Sequence, residues 1–394
     1  MTEKPFIPFH RPSVGHDEMQ AVQRVLDSRW LTTGPVAKEF EHQFATFVGC
    51  KYALAVNSAT AALQLSMDSI GVGPGDEVLV PTYTFTATAA VVIHAGARPI
   101  FCDSVKDGFN MCPDGAERRI TSRTKAVMPV HIAGQPCDLD RIQTLATKYS
   151  VHIIEDAAHA LPASYNGRRV GAISELTAFS FYATKTISTG EGGMLTTDNE
   201  EYAERATKMR LHGINGDAWK RYSKEGSWFY EVQHAGYKMN MCDVLAAIGC
   251  AQLAKCARFW ERRQIIARFY SEHLSRFEEL QLPPPANRDA EHAWHLYILR
   301  IKPELLAINR NDFIEELKKR GIGTSVHFIP LHLHPFYAQR YGCKRGDFPN
   351  AEDAYSRCIS LPIFPDMTDE EVERVVSSVK DVVEQKRIRS MAVA

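Results

Sequence analysis

Little in this chain leans to an extreme. Its charges nearly cancel, with 46 Lys and Arg against 47 Asp and Glu for a formal net charge of -1. Nucleic-acid binders usually show a basic face or a pI above roughly 9, so no nucleic-acid partner is expected. No run approaches the roughly 18 apolar residues of a membrane-spanning helix, and Met1 to His10 lacks the apolar stretch of a secretion signal. The nine cysteines are odd in number and loosely spaced, which argues against a disulfide framework and for a reducing cytoplasm. Repeats and low-complexity tracts are absent. What remains is 394 residues of ordinary globular composition, 45% hydrophobic and 24% charged, enough to bury a large core. The length alone suggests two or three domains. A soluble intracellular enzyme is expected.

The pattern along the chain alternates. Met19, Val22, Val25 and Leu26 have helical spacing, and residues 40–48 form a second helical stretch. Strand-like runs follow at 52–56, 77–81, 98–102, 126–130, 151–154, 176–182 and 194–197, with helical segments at 61–67, 87–94 and 139–149 between them. Strands separated by helix-length segments indicate right-handed β-α-β units and an α/β architecture, with a largely parallel sheet covered on both faces. Past Gly249 the texture changes. Residues 252–277 read as one long helix, which the run Leu282-Pro283-Pro284-Pro285 ends. A strand at 294–301, a helix at 310–320, a strand at 324–328 and a helix at 369–384 then suggest a smaller α+β domain. The expected division is 1–256 and 257–394.

Four local features carry chemistry. The stretch Ser180-Phe181-Tyr182-Ala183-Thr184-Lys185 ends an apolar strand in a lysine, and Gly190-Glu191-Gly192-Gly193 turns the chain back. A lysine beside a turn is most often a surface charge. If partly buried, its pKa falls from about 10.4 and it becomes a neutral amine able to form a Schiff base. Asp156 ends a buried strand, where open α/β sheets place ligands. It either caps the next helix or meets a cation, such as a protonated pyridine nitrogen. Asn57-Ser58-Ala59-Thr60 joins a strand to a helix. That turn is either ordinary capping or a set of N–H donors for a phosphate, with Ser58 and Thr60 adding hydroxyls. Phe85, in Pro81-Thr82-Tyr83-Thr84-Phe85, is either core or a stacking surface for a flat ring.

His327, His332 and His334 lie close together in sequence, and a metal-dependent hydrolase using them predicts bound zinc. Their stretch lacks Asp and Glu, no His-Glu-x-x-His occurs, and no Cys-x-x-Cys pair accompanies them. No metal site is expected; the histidines should line a cleft or an interface.

Taken in order, these pieces resemble the DegT/StrS-type nucleotide-sugar aminotransferases, pyridoxal-phosphate enzymes of fold type I. The resemblance runs over nearly the whole chain. It includes Trp30-Leu31-Thr32-Thr33-Gly34-Pro35, the turn from Asn57 to Leu63, Ile154-Glu155-Asp156-Ala157-Ala158-His159, Glu191-Gly192-Gly193, Gly236-Tyr237-Lys238-Met239-Asn240, Trp294-His295-Leu296-Tyr297 and Leu361-Pro362. It implies a three-layer large domain, a smaller C-terminal domain, and pyridoxal phosphate that alternates with pyridoxamine phosphate.

By the same resemblance Lys185 carries the cofactor as a Schiff base and then moves the proton. Asp156 holds the pyridine nitrogen, His159 lies near the ring oxygen where many members have Gln, and Phe85 stacks on the ring. Ser58, Ala59, Thr60 and Ser180 hold the phosphate. Asn240 joins them from the neighbouring subunit of a homodimer with shared active sites, although some relatives place this asparagine where Lys238 stands. Tyr182 and His327 lie nearest the sugar, and Arg221 and Lys220 either face the diphosphate or are solvated loop charges. The implied reaction moves an amino group from L-glutamate to a nucleotide-linked 4-keto-6-deoxyhexose. C-4 is preferred over C-3 because of His212-Gly213-Ile214, Asp217-Ala218-Trp219-Lys220-Arg221 and Gly236-Tyr237-Lys238. A pyridoxal-phosphate sugar dehydratase and a non-catalytic cofactor-binding sensory protein remain as rivals. Lys185 weighs against the dehydratases that replace the lysine with His, and Lys185 with Asp156 weighs against the sensor.

Overall fold

A computed structural model describes residues 5–214, 229–285 and 289–388. Its centre is a seven-stranded sheet. Strands β1 (Tyr52–Val56), β2 (Glu77–Pro81), β3 (Arg98–Cys102), β4 (Thr124–Val127) and β5 (His152–Asp156) are joined by the strands Leu176–Ser180 and Gly193–Thr197. The spatial order is β1, Gly193–Thr197, Leu176–Ser180, β5, β4, β2, β3. Every pair from Leu176–Ser180 to β3 is parallel, whereas Gly193–Thr197 runs antiparallel to both neighbours. The sheet is therefore mostly parallel, with one reversed strand.

Alternation along the strands builds two cores. Leu54, Val56, Val78, Val80, Ile154 and Leu195 point to one face, against the helix Ala59–Ser69, whose residues 61–67 are all buried. Ala53, Ala55, Phe179 and Met194 point to the other, against Pro35–Val48, while Leu79, Val127 and Ile153 meet Leu139–Tyr149 there. Helices on both faces make three layers. The near-continuous apolar strands noted in the sequence are the signature of that double cover.

A second core packs the helices Cys256–Leu274, Arg310–Lys319 and Asp369–Lys386 on the three-stranded antiparallel sheet Leu280–Gln281, Tyr297–Ile301 and Cys358–Leu361. This is an α+β layer, and Ile7 of the N-terminal arm joins it through a bridge to Ile322. We propose that the chain divides into 1–256 and 257–394 on the strength of this separate core. Among the described residues no helix is long and apolar enough to cross a membrane. All nine cysteines are free thiols, and burial pushes those of Cys102 and Cys256 up to about 12.

Three expectations need correction. The long helix expected at 252–277 is two helices, Asp243–Leu253 and Cys256–Leu274. The first packs on His16–Ser28 and Pro35–Val48, the second on Asp369–Lys386, so the two helices have different partners. The turn tightens between them, with the Lys255 amide bonding Gln252 rather than a residue four back, and Lys255 pairs with Glu18. Residues 324–328 do not form a strand: a single bridge, Ser325 to Ser360, holds the segment before it turns into a cavity. The strand expected from residue 294 starts at Tyr297, because Trp294 adopts a left-handed backbone with φ 52°.

Candidate active site

The C-terminal edge of the parallel strands is where the loops part and a ligand crevice forms. β1, β2, β5 and Leu176–Ser180 all end there, around a cavity of about 620 Å³.

At the end of β1 the chain turns into the helix Ala59–Ser69. Ser58 caps the helix by accepting the Ala61 amide at 3.1 Å, so the amides of Ala59 and Thr60 stay at the open first turn, and both residues line the cavity. This turn sits tightly on the Gly193–Thr197 strand. A Cβ on Gly193 would lie 2.4 Å from the Ser58 carbonyl carbon and 2.6 Å from the Ala59 nitrogen. Only glycine permits that approach, which explains Gly193 in the sequence. Ser180, across the same edge, also lines the cavity.

Lys185 stands on the loop after Leu176–Ser180, its backbone amide bonded to the Tyr182 carbonyl at 2.9 Å. Burial lowers its amine to about 8, opposed by the nearby Asp156 carboxylate. The N-terminal arm pins this loop, because His10 Nε2 donates to the Ala183 carbonyl at 3.0 Å. Burial, with Arg263 and Lys185 adding repulsion, lowers His10 to about 4 and keeps its ring neutral.

Asp156 is buried at the end of β5. Burial raises its pKa, while the Thr88 hydroxyl at 2.9 Å, the Ala158 amide at 3.2 Å and Lys185 favour the ion. Glu155 points to the opposite face of the strand and takes a 2.6 Å hydrogen bond from His131 Nε2. The Cys137 amide donates to His131 Nδ1, which fixes that tautomer.

His159 is buried with Nδ1 accepting the Ala133 amide at 3.3 Å, so its neutral ring carries the proton on Nε2. Burial and the charge of Lys185 hold its pKa well below the usual value. The ring stacks on Phe328 and lies 4.4 Å, centre to centre, from His295. Phe85 is 60% exposed and Tyr182 48% exposed, both on the cavity wall. His327 also lines the wall. Its Nδ1 is 2.8 Å from Ser360 Oγ, the buried Tyr83 hydroxyl donates to its carbonyl, and burial lowers it to about 4.

The cavity thus brings together Ser58, Ala59, Thr60, Phe85, Asp156, His159, Ser180, Tyr182, Lys185 and His327. Asn240 is not among its lining residues. It bridges to Val56, and its side chain bonds Thr33 and Lys238. Arg221 and Lys220 lie outside the described residues, as do Asp217, Ala218 and Trp219. Two of the three neighbouring histidines separate: His332 sits between Thr82 and Glu352 at 2.7 and 3.0 Å, while His327 faces the cavity. Among the described residues no three His, Cys, Asp or Glu side chains gather as metal ligands do.

Several site residues escape sequence reasoning. Phe9 and His10 arrive from the far N-terminal end of the chain, with no local signal. His295 belongs to a noted motif, but only the fold shows its ring against His159, with Nδ1 buried and unpartnered among the described residues. Thr88 has the spacing of one more helical residue, and nothing local marks it.

Comparison with known proteins adds an independent line. The model of the DegT/DnrJ/EryC1/StrS aminotransferase family matches residues 12–380. An uncharacterized protein of Methanocaldococcus jannaschii is 51% identical over 98% of this chain and 100% of its own. The spore coat polysaccharide biosynthesis protein SpsC of Bacillus subtilis is 47% identical over 96% of this chain and 97% of its own. Among solved structures, a putative sugar aminotransferase from Streptococcus pneumoniae in its PMP form superposes with a TM-score of 0.91 at 34% identity, covering 96% of this chain and 99% of that one.

Proposed function

The chain belongs to the DegT/DnrJ/EryC1/StrS aminotransferase family and is a pyridoxal-phosphate-dependent sugar aminotransferase, and from that premise we propose that it moves the amino group of L-glutamate to C-4 of a nucleotide-linked 4-keto-6-deoxyhexose. The observation that carries this reading is the convergence of a buried amine, a buried carboxylate and an open helix N-terminus on one cavity. The likeness to a polysaccharide biosynthesis protein supports a sugar acceptor.

The residues fit the cofactor. The turn into the helix Ala59–Ser69, which a Cβ on Gly193 would fill, would offer the Ala59 and Thr60 amides to a phosphate, with Ser58 and Ser180 hydroxyls beside them. Asp156 would hold the ring nitrogen, the Nε2–H of His159 would donate to the ring oxygen, and Phe85 would cover the ring face. When bound, pyridoxal phosphate supplies the electron sink that lets a C–H proton leave a carbon bearing nitrogen.

Lys185 is suited to two tasks. With a pKa near 8, about a tenth of its amine is neutral at pH 7, a far larger share than at its ordinary value. The neutral Nζ would hold the cofactor, and as a free amine it would accept a proton from the α-carbon of glutamate and deliver one to the sugar carbon. In total, glutamate and keto sugar become 2-oxoglutarate and amino sugar, with no outside oxidant. Tyr182 and His327 would contact the sugar, and Arg221 the diphosphate.

The choice of C-4 rests on the sequence around His212 and Gly236. Gly213 and Gly236 meet backbone to backbone, a Cβ on Gly236 falling 2.1 Å from the Gly213 nitrogen. Asn240, outside its own cavity, supports a homodimer in which each chain completes the other's site. Nine free thiols suit the cytoplasm.

The test is an absorbance spectrum of the purified protein with and without L-glutamate, followed by UDP-, dTDP- and GDP-linked 4-keto-6-deoxyhexoses. A visible band that bleaches with glutamate, and an amine at C-4 by NMR of the product, are expected. An amine at C-3, or no conversion of any 4-keto sugar, overturns the assignment. Lys185→Ala should bind cofactor but turn over nothing; substantial transamination by that variant removes Lys185 from its role.

A further inference from the structure

Asp156 has to remain ionised inside the protein, where desolvation favours the neutral acid. It must also keep an acceptor position turned toward its ligand. Two protein donors meet it. The Ala158 amide reaches Oδ1 at 3.2 Å, and the Thr88 hydroxyl reaches Oδ2 at 2.9 Å. Thr88 is fully buried on the helix Ala87–His94, and its Oγ1 lies 2.8 Å from that of Thr84, which is buried as well.

A hydroxyl has one proton to give. An ionised carboxylate has none, so the Thr88 proton goes to Asp156 and Thr84 must donate to Thr88. The order Thr84 to Thr88 to Asp156 is therefore fixed in direction. Each carboxylate oxygen accepts about two hydrogen bonds, so these donors leave positions open on the cavity side. The helix does not depend on either hydroxyl: its N-cap residue is Thr86, and the Thr88 amide bonds the Phe85 carbonyl. Residues 84–88 also carry Phe85, so the aromatic wall and the support for the carboxylate belong to one segment.

We infer that Thr88 is a positioning residue of the cofactor site, its hydroxyl, backed by Thr84, holding the Asp156 carboxylate ionised and turned toward the cofactor ring nitrogen. The inference rests on the reading above that Asp156 faces that nitrogen.

The test is a double-mutant cycle read as the dissociation constant of pyridoxal phosphate, titrated into cofactor-stripped protein. Thr88→Val should raise that constant about tenfold, the scale of one hydrogen bond to a charged group. Thr88→Ser, which keeps the hydroxyl, should stay within about threefold of wild type. In an Asp156→Asn background, Thr88→Val should add nothing, because Thr88 acts through the carboxylate. Thr84→Val should show a smaller loss that vanishes in the same background, and it serves as the second probe if Thr88→Val does not fold. An unchanged constant for Thr88→Val, or a full effect that persists in the Asp156→Asn background, overturns the inference. If Asp156→Asn alone leaves the constant and turnover at wild-type levels, the reading of Asp156 fails too; an effective Asp156→Asn with a silent Thr88→Val sinks Thr88 alone.

Discussion

The free energy of the site is concentrated in a few side chains held in unfavourable protonation states. Lys185 is the clearest. Lowering its pKa from 10.5 to about 8 means that the protonated amine is destabilised in the folded chain relative to the unfolded one. Below pH 8 both states hold the proton and the folded protein carries the whole penalty, ~1–3 kcal/mol after allowing for partial exposure. Between pH 8 and 10.5 the folded state releases its proton while the unfolded state keeps it, so stability rises with pH. Lys185→Met should therefore stabilise the cofactor-free protein by that amount at pH 7. The gain should shrink through this window and vanish near pH 10.5, as urea unfolding at a series of pH values would record. A gain that does not change with pH would mean that the amine is not buried as a cation.

At the scale of elements, the proposed phosphate cradle depends on two strands and one helix end approaching more closely than side chains allow. Gly193 pairs with Val56 on one side and Ser180 on the other, so it stands between the two strand ends that carry Ser58 and Ser180. Its backbone is not left-handed, and the constraint is contact alone. Gly193→Ala would push a methyl into the Ser58–Ala59 peptide, and the helix start has to move. Affinity for pyridoxal phosphate should fall tenfold or more, on the order of 1.4 kcal/mol, with the far-UV spectrum retained. Titration of the cofactor-free variant checks this. Wild-type affinity would show that the cradle is softer than its packing suggests.

At the scale of the whole molecule, one core runs through both proposed units. Leu296, Ile298, Leu331, Tyr337, Phe348 and Cys358 pack in the same cluster as Leu54, Val80 and Ile154. The N-terminal arm binds both as well, pairing with Ile322 and then with Ala183 beside Lys185. A chain stitched this way should unfold as one cooperative body. Urea transitions followed by far-UV circular dichroism and by fluorescence of Trp260 and Trp294 in the second unit, with Trp30, Trp219 and Trp228 replaced by Phe, should coincide. Two separated transitions would show that 1–256 and 257–394 hold their structure independently.

The sheet, its double cover and most of its strand positions were legible in the sequence, because strand burial and helical spacing are local patterns with fixed periods. So were Asp156, Lys185 and the Asn57–Thr60 turn, since each sits at a strand end or on the loop that follows one, where the change of pattern is itself the signal. The break after Leu253 was not, because both halves keep helical spacing and only their packing partners differ. The segment 324–328 alternates as a strand would, yet it has one bridge and then bends into the cavity. Phe9, His10, His295 and Thr88 gain their places from contacts between residues far apart in the chain, which no local period records. The near-absence of net charge noted at the outset belongs to the sequence. The burial that lowers the pKa of one lysine to about 8 and leaves one carboxylate dependent on two threonines belongs to the tertiary structure, because desolvation is set by what packs around a group and not by its neighbours in the chain.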